Sequence, residues 1–129
     1  MVNLTLFCAL VGVEGDAFSV KIEDSEAVGD LKDAIKLKKE NALKAIDADM
    51  LKLFLGLKPD GTWLASSSDD VKNLKRGEKT TVIEDLTHED KELPGEYGLD
   101  EVLEGMPEPK TKEIHVLVAV PEQQLHILS

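Results

Sequence analysis

The feature that most constrains this fold is an alternation of leucines in one short stretch. Leu51, Leu53, Leu55 and Leu57 occupy every second position. Side chains at every second position of a β-strand point to the same face of the sheet. The stretch therefore predicts a core strand whose leucine face is covered by a helix, and it places Phe54 on the opposite face.

A turn signal follows this strand. Pro59 fixes φ and Gly61 tolerates positive φ, with Asp60 between them. Residues 62–64 then begin a second short strand, so residues 51–64 predict a hairpin. A short helix through residues 71–74 is expected next, with Asp69 or Asp70 as its N-cap.

The N-terminal part also predicts a hairpin. Residues 2–12 are interpreted as a first strand and residues 13–16 as a tight turn. The following residues alternate again, with Phe18, Val20 and Ile22 on one face. Residues 1–13 are apolar, but no lysine or arginine occurs before Lys21, so a strand is favoured over a cleaved signal sequence, which stays the alternative.

One amphipathic helix should cover the sheet. Val28, Leu31 and Ile35 are spaced as one apolar helical face. Residues 24–25 offer an N-cap, and the helix is expected to run from about residue 26 to residue 40–45. The lysines on its other side are interpreted as a solvated face.

The segment between residues 84 and 108 is strongly acidic. It contains ten Asp or Glu residues and one lysine, in a chain of 129 residues whose net charge is −11. Segments with high charge and few aromatic residues are typically solvated. Residues 78–110 are therefore interpreted as a mobile, loosely packed insertion, with a short helix at residues 99–103.

The last strand is predicted at residues 114–120, where Pro121 ends it. The order strand, strand, helix, strand, short strand, insertion, strand predicts an α+β fold with a mixed sheet and one main helix. We interpret residues 1–121 as a single ubiquitin-like β-grasp domain and residues 122–129 as a tail. The side chains expected to be buried together are Leu31, Ile35, Leu53, Leu55, Val116 and Val118.

Strand alternation also predicts one exposed patch. It places Phe54 opposite the leucines, and it places His115 and Leu117 on the outer face of the last strand. An exposed apolar patch is typical of a protein interface. The patch predicts protein partners, self-association among them. The alternative is that the acidic insertion or a second copy of the chain covers it.

No catalytic chemistry is predicted. The histidines at positions 88, 115 and 126 lack the spacing of a zinc site, and no glycine-rich phosphate loop follows a strand. Cys8 is the single cysteine and is interpreted as a buried apolar residue. Neither a metal nor a cofactor is expected. The charge of −11 argues against nucleic-acid binding and anionic membranes, and no stretch is long and apolar enough to span a membrane.

Four motifs in order resemble those of one family. Residues 1–8 loosely match a Met-Val-x-Leu-Phe-Cys start, and residues 28–35 match Val-Gly-Asp-Leu-Lys-Asp-Ala-Ile without a change. Residues 53–58 align with the signature Leu-Phe-Leu-Ala-Lys, and residues 115–121 match His-Val-Leu-Val-x-x-Pro. The chain resembles the N-terminal region of Crinkler proteins, which are modular effectors of oomycetes and some fungi.

Two departures accompany the resemblance. Gly56 and Leu57 replace Ala-Lys of the signature, with the lysine displaced to Lys58, and an Asp-Trp-Leu element of the middle segment is not evident. The resemblance implies a non-catalytic part of a secreted protein that directs delivery into host cells. A variable C-terminal domain, absent from these residues, then carries the activity, often in the host nucleus. The alternative is a generic intracellular ubiquitin-like adaptor domain. The implied translocation motif consists of Leu53, Phe54, Leu55, Gly56, Leu57 and Lys58.

Overall fold

A four-stranded mixed sheet forms the centre of the protein. The computed structural model describes residues 3–41, 43–44, 46–107 and 110–120. The strands are β1 (Asn3–Val11), β2 (Phe18–Glu23), β3 (Lys52–Leu55), β4 (Leu64–Ala65), β5 (Glu113–Ile114) and β6 (Val116–Ala119). The helices are α1 (Val28–Lys38), α2 (Asp69–Lys75), α3 (Thr81–Leu86) and α4 (Leu99–Val102), with 3₁₀ turns at Ala48–Met50 and Glu89–Lys91.

The sheet has the strand order β2-β1-β6-β3. Strand β1 runs antiparallel to β2 and parallel to β6, and β3 runs antiparallel to β6. Strands β4 and β5 form a separate antiparallel pair. The predicted α+β class and mixed sheet are confirmed, and this strand order is compatible with a β-grasp.

Helix α1 forms as predicted but is shorter than expected. Its N-cap is Ala27, whose backbone N–H donates to the Asp30 carboxylate at 3.0 Å, so the expected cap at residues 24–25 is wrong. An isolated bridge between Ala27 and Gly98 keeps the residue before the helix extended. The apolar face is fully buried at Val28, Leu31 and Ile35.

The first face of the sheet packs on α1. The side chains predicted to be buried together do share one core cluster, in which Leu55 is partly buried at the margin and the others are buried. The two faces of β1 also separate as alternation requires, with Leu6 and Cys8 on the α1 side. The β2 side chains of Phe18, Val20 and Ile22 complete this cluster.

The second face of the sheet is also covered, by α2 and α3. Val71 and Leu74 of α2 and Ile83 and Leu86 of α3 are buried against it. The expected helix at residues 71–74 is confirmed, but its cap is Ser68, whose hydroxyl oxygen accepts from the Val71 N–H at 3.3 Å. A sheet buried on both faces has no solvated side to present.

The acidic segment is built into the fold. Three of its leucines, Leu86, Leu93 and Leu99, are buried. The Leu93 N–H donates to the Leu53 carbonyl at 2.8 Å, and the Leu99 N–H donates to the Glu26 carbonyl at 2.8 Å. The predicted short helix forms as α4. The expectation of loose packing is wrong at these positions: the carboxylates of the described residues lie at exposed or half-buried positions, while the buried leucines anchor the backbone.

The last strand breaks at His115, which separates β5 from β6. The His115 N–H donates to the Phe7 carbonyl of β1 at 2.8 Å, and its carbonyl accepts from the Gly56 N–H at 2.9 Å. The alternation therefore does not continue through this residue, and Ile114 joins the second core cluster rather than the α1 side. A single strand over residues 114–120 is thus a wrong prediction.

The predicted hairpin of residues 51–64 is confirmed from Gly56 to Leu64, where the Leu64 N–H donates to the Gly56 carbonyl at 2.8 Å, but not along β3. Leu57 and Trp63 form an isolated antiparallel bridge, and the Lys58 N–H donates to the Thr62 carbonyl at 2.8 Å. Strand β3 takes β6 as its ladder partner and β4 takes β5.

Candidate functional site

The stretch that resembles the family signature is divided between core and surface. Leu53 is buried on the α1 side of the sheet, and Phe54 is buried on the other side. Gly56 is buried as well. Leu55, Leu57 and Lys58 are half-buried and reach the surface. A partner that contacts the folded domain can therefore touch Leu55, Leu57 and Lys58 but not the other three residues of the stretch.

Gly56 is held where three backbones meet. Its N–H donates to the His115 carbonyl at 2.9 Å, and its carbonyl accepts from the Leu64 N–H at 2.8 Å. A Cβ atom at this position would collide with the Ile114 carbonyl oxygen and would lie 3.3 Å from the carbonyl carbon of that residue. The close approach favours a residue without a side chain at this position.

An apolar groove lies beside the exposed half of the stretch. We name it the leucine groove; it has a volume of about 320 Å³. One wall comes from the end of β3 and the turn after it, and the other comes from the acidic segment. Its lining residues are Leu55, Leu57, Pro59, Leu86, Lys91, Leu93 and Met106. Lys91 is the one charged side chain in this lining.

The backbone of β3 is open at the leucine groove. Because the Gly56 N–H faces β6, antiparallel alternation directs the N–H and carbonyl of Leu55 away from β6, to the outer edge. The next outward carbonyl, that of Leu53, accepts from Leu93. Within the part of the chain that the structure describes, no loop backbone group forms a hydrogen bond with the N–H or the carbonyl of Leu55.

The turn after β3 holds Lys58 beside the leucine groove. The Thr62 hydroxyl donates to the Asp60 carboxylate at 2.6 Å, and the Thr62 N–H donates to the same oxygen at 3.0 Å. These hydrogen bonds lower the pKa of Asp60, so the carboxylate is charged at neutral pH. The Lys58 ammonium lies 4.0 Å from this carboxylate and is 35% exposed. The turn therefore holds Lys58 beside Asp60, between the lining residues Leu57 and Pro59.

The predicted protein-binding patch does not exist at the surface. Phe54, His115 and Leu117 are neighbours, as expected, and Phe54 lies opposite Leu117 in the β3–β6 register. Their exposed fractions are 2%, 0% and 0%, however. Helices α2 and α3 cover Phe54 and Leu117, and the rings of Phe7 and Trp63 flank His115. The alternative left open by the sequence, coverage by the acidic segment, holds only in part, because Leu86 is the residue of that segment in this cluster.

His115 has a dense set of contacts in this buried position. Its Nδ1 accepts from the Phe7 N–H at 3.0 Å, and its Nε2 lies 3.2 Å from a Glu113 carboxylate oxygen. The Trp63 ring stands perpendicular to the imidazole at a centroid distance of 5.1 Å. Burial lowers the pKa of His115, and the hydrogen bond to Glu113 offsets this only in part.

Other candidate groups do not assemble into a reactive centre. Cys8 is buried, and desolvation raises the pKa of its thiol far above the usual range, so it is held as a neutral thiol. Among the residues that the structure describes, no group of three His, Cys, Asp or Glu side chains could hold a metal ion. No helix in the described ranges has the length and apolar character needed to cross a membrane.

Sequence reasoning missed half of the leucine groove. Leu86, Leu93 and Met106 lie in the segment that was interpreted as solvated, although Leu93 and Leu86 are among its few large apolar residues. The available signal was the spacing of Ile83 and Leu86, which share one helical face after the Thr80 cap.

Comparison with known proteins identifies the family. The model described as the Crinkler effector protein N-terminal domain matches residues 4–119. Crinkler effector protein 8 of Phytophthora infestans is 52% identical over 118 residues, which cover 92% of this chain and 19% of that protein. Crinkler effector protein 161 of Phytophthora sojae (strain P6497) is 45% identical over 132 residues, which cover 91% of this chain and 30% of that protein.

A relative from another genus shows the same likeness over part of the chain. Crinkler effector protein BLC01 of Bremia lactucae is 46% identical over 59 residues, which cover 46% of this chain and 29% of that protein. The matched residues cover less than a third of the length of each of these three relatives. The resemblance read from the four motifs is confirmed, and the chain belongs to the Crinkler effector family, whose N-terminal domain it matches.

Proposed function

We propose that this chain is a non-catalytic delivery and interaction module of a secreted effector, and that it acts through the leucine groove. The observation that carries the proposal is the division of the signature-like stretch. Leu53, Phe54 and Gly56 serve the fold, whereas Leu55 and Leu57 line an accessible apolar groove. Accessible apolar grooves with a few polar groups are the usual form of recognition sites.

The partner chemistry that fits the leucine groove is an extended protein segment. Such a segment adds a strand at an open sheet edge, where its backbone takes up the free hydrogen-bonding groups and its side chains enter neighbouring pockets. Leu55 offers the backbone groups and the groove offers the apolar pocket. Lys91 in the lining favours a segment that also carries an acidic residue.

The proposed scaffold is a ubiquitin-like β-grasp. Support comes from the parallel pairing of β1 with β6 at the centre of the sheet and from α1, which connects β2 to β3 across one face. The covering of the second face by α2 and α3 is an addition to that scaffold. We propose that it moves the interaction surface from the sheet face to the edge at β3.

Secretion, entry into host cells and arrival in the host nucleus belong to the same proposal. Their support is membership of the Crinkler effector family and the printed description of its relatives as effectors. The competing proposal is an intracellular ubiquitin-like adaptor. Secretion of the full-length precursor separates the two, because an adaptor acting inside its own cell stays there.

The test compares two leucine-to-glutamate variants in a full-length precursor with a reporter. Leu57→Glu places a carboxylate in the leucine groove, whereas Leu37→Glu places one at a position that is 73% exposed on α1. We expect Leu57→Glu to abolish reporter entry into host cells and Leu37→Glu to leave entry unchanged, with both domains folded by circular dichroism. Equal entry of the two variants would remove the leucine groove from the mechanism of delivery.

A further inference from the structure

His115 lies between β5 and β6, and β6 is the strand between β1 and β3 in the four-stranded sheet. Its backbone connects both neighbours of β6, because its N–H donates to Phe7 of β1 and its carbonyl accepts from Gly56 at the end of β3. The side chain is fully buried at this junction. Any change in the charge or hydrogen bonding of the imidazole therefore acts where β1, β3 and the β5–β6 junction meet.

The hydrogen bonds of the imidazole determine which nitrogen carries the proton. The Phe7 backbone N–H can only donate, so Nδ1, at 3.0 Å, must present its lone pair. The neutral ring then carries its proton on Nε2, which donates to the Glu113 carboxylate at 3.2 Å. The same carboxylate oxygen also accepts from the Lys110 N–H at 3.1 Å. The neutral Nε2–H tautomer is the form that satisfies every one of these partners.

The surroundings of the ring combine burial, which disfavours a second proton and has the larger effect, with the Glu113 carboxylate, which favours one. The aromatic rings of Phe7 and Trp63 flank the imidazole at centroid distances of 5.9 and 5.1 Å. Among the residues that the structure describes, the charged group that faces the ring is Glu113 from β5, and the Lys110 backbone also lies against the ring; β1, β3 and the turn before β4 contribute backbone and aromatic groups. Trp63 in turn donates its indole N–H to the Pro107 carbonyl at 3.0 Å, which ties the end of the acidic segment to the same cluster.

We propose that His115 is an acid-sensitive latch: a proton taken up at Nδ1 removes the acceptor of the Phe7 N–H and loosens the seam between β1 and the β5–β6 junction. In the imidazolium both ring nitrogens are donors, so Nδ1–H would face the Phe7 N–H. The ring must then turn or leave its site. Because Trp63 packs on the ring edge, the movement is transmitted to the end of the acidic segment at Pro107.

The direction of the pH effect follows from linkage. The pKa of His115 in the folded protein is lowered from the ordinary value of 6.5, so the unfolded or opened state binds more protons between the two values. The stabilising contribution is fully present above about pH 6.5. It is lost as the pH falls from there through the folded pKa, and it does not change further below that pKa. Between the two values the opening constant rises up to about tenfold per pH unit.

The first test uses the unmodified domain, so it does not depend on the folding of a variant. Nitrogen chemical shifts of the imidazole should show the Nε2–H tautomer of His115 at pH 7.5 and a pKa below 6.5. Amide exchange, corrected for its intrinsic pH dependence, should lose protection at Phe7 as the pH falls from 7.5 to 5, before it does so at Leu31 of α1. An Nδ1–H tautomer, a pKa above 6.5, or parallel loss at the two amides would overturn the proposal.

A second test uses matched histidine variants. His115→Asn keeps an acceptor oxygen near the Nδ1 position but does not titrate, whereas His88→Asn removes a histidine whose side chain is 62% exposed. We expect the difference in melting temperature between pH 7.5 and pH 5 to shrink in His115→Asn and to persist in His88→Asn. An unchanged difference in a folded His115→Asn would exclude the latch.

Discussion

Replacement of Gly56 by alanine probes the junction that separates the buried and accessible halves of the signature-like stretch. The added Cβ would collide with the Ile114 carbonyl oxygen and would also lie 3.5 Å from Leu64 Cδ1. Neither neighbour can easily retreat, because Leu64 and Ile114 are buried and paired with each other in the β4–β5 ladder. The family signature carries alanine here, so the variant isolates what the packing of this chain requires.

The expected cost combines two effects. Overpacking of a well-filled site typically costs about 1–3 kcal/mol, and loss of one buried hydrogen bond adds about 1 kcal/mol. The bond at risk joins the Gly56 N–H to the His115 carbonyl. We therefore expect Gly56→Ala to lower the free energy of unfolding by about 2–4 kcal/mol. For a domain of this size that corresponds to a fall of roughly 8–16 °C in Tm.

Thermal and urea unfolding of the unmodified protein, Gly56→Ala and Gly95→Ala test this expected cost. Gly95→Ala is the matched control, because a Cβ at Gly95 would meet no atom within 4 Å. The control should stay within about 0.5 kcal/mol of the unmodified protein. If Gly56→Ala unfolds at the same temperature and urea concentration as Gly95→Ala, the close approach of Gly56 to Ile114 does not exist.

Two further predictions concern the contributions of Leu53 and of the acidic segment to the stability of the core. Leu53→Ala should lower the free energy of unfolding by about 2–5 kcal/mol, because Leu53 is fully buried beneath α1; urea unfolding that coincides with the unmodified protein would refute this. Deletion of residues 92–106 should leave a chain without cooperative thermal unfolding, because it removes the buried Leu93 and Leu99 with their hydrogen bonds to Leu53 and Glu26; a sharp transition near the original Tm would mean that the acidic segment is not part of the core.

The elements that the sequence predicts well are those with a long, regular apolar pattern. The alternation in β1, β2 and β3 and the helical spacing of α1 require no tertiary information, because each repeats its period several times. The N-terminal hairpin, the main helix and the cluster around Leu53 were predictable for this reason. The ends of α1 were not, because the bridge from Ala27 to Gly98 is a contact between distant residues.

The second layer of the fold escaped prediction for a physical reason. Helix α3 has six residues, with only Ile83 and Leu86 buried, so its pattern completes less than two turns. The surrounding carboxylates dominate the composition, although composition does not reveal which few side chains point inward. Strand alternation alone does not reveal that α2 and α3 cover the outer face of β3, and it therefore predicts that Phe54 is exposed.

The break at His115 also depends on tertiary contacts. Residues 114–120 carry the apolar pattern of one continuous strand. The interruption arises because Phe7 takes up both the backbone N–H and the Nδ1 of His115. A side chain that replaces a backbone partner within a sheet leaves no mark on hydrophobic periodicity. The leucine groove is not predictable from the sequence either, since one of its walls comes from the acidic segment, whose packing the sequence does not reveal.

The central claim is that both faces of the sheet are buried, so that only Leu55, Leu57 and Lys58 of the signature-like stretch are accessible. Urea unfolding of Phe54→Ala tests it most directly, with Leu37→Ala as an exposed control. Phe54 is 2% exposed, and removal of a buried phenylalanine ring typically costs about 3–5 kcal/mol. The account predicts a loss of that size for Phe54→Ala and less than about 0.5 kcal/mol for Leu37→Ala. Equal stability of the two variants would show that Phe54 lies at the surface and would contradict the account.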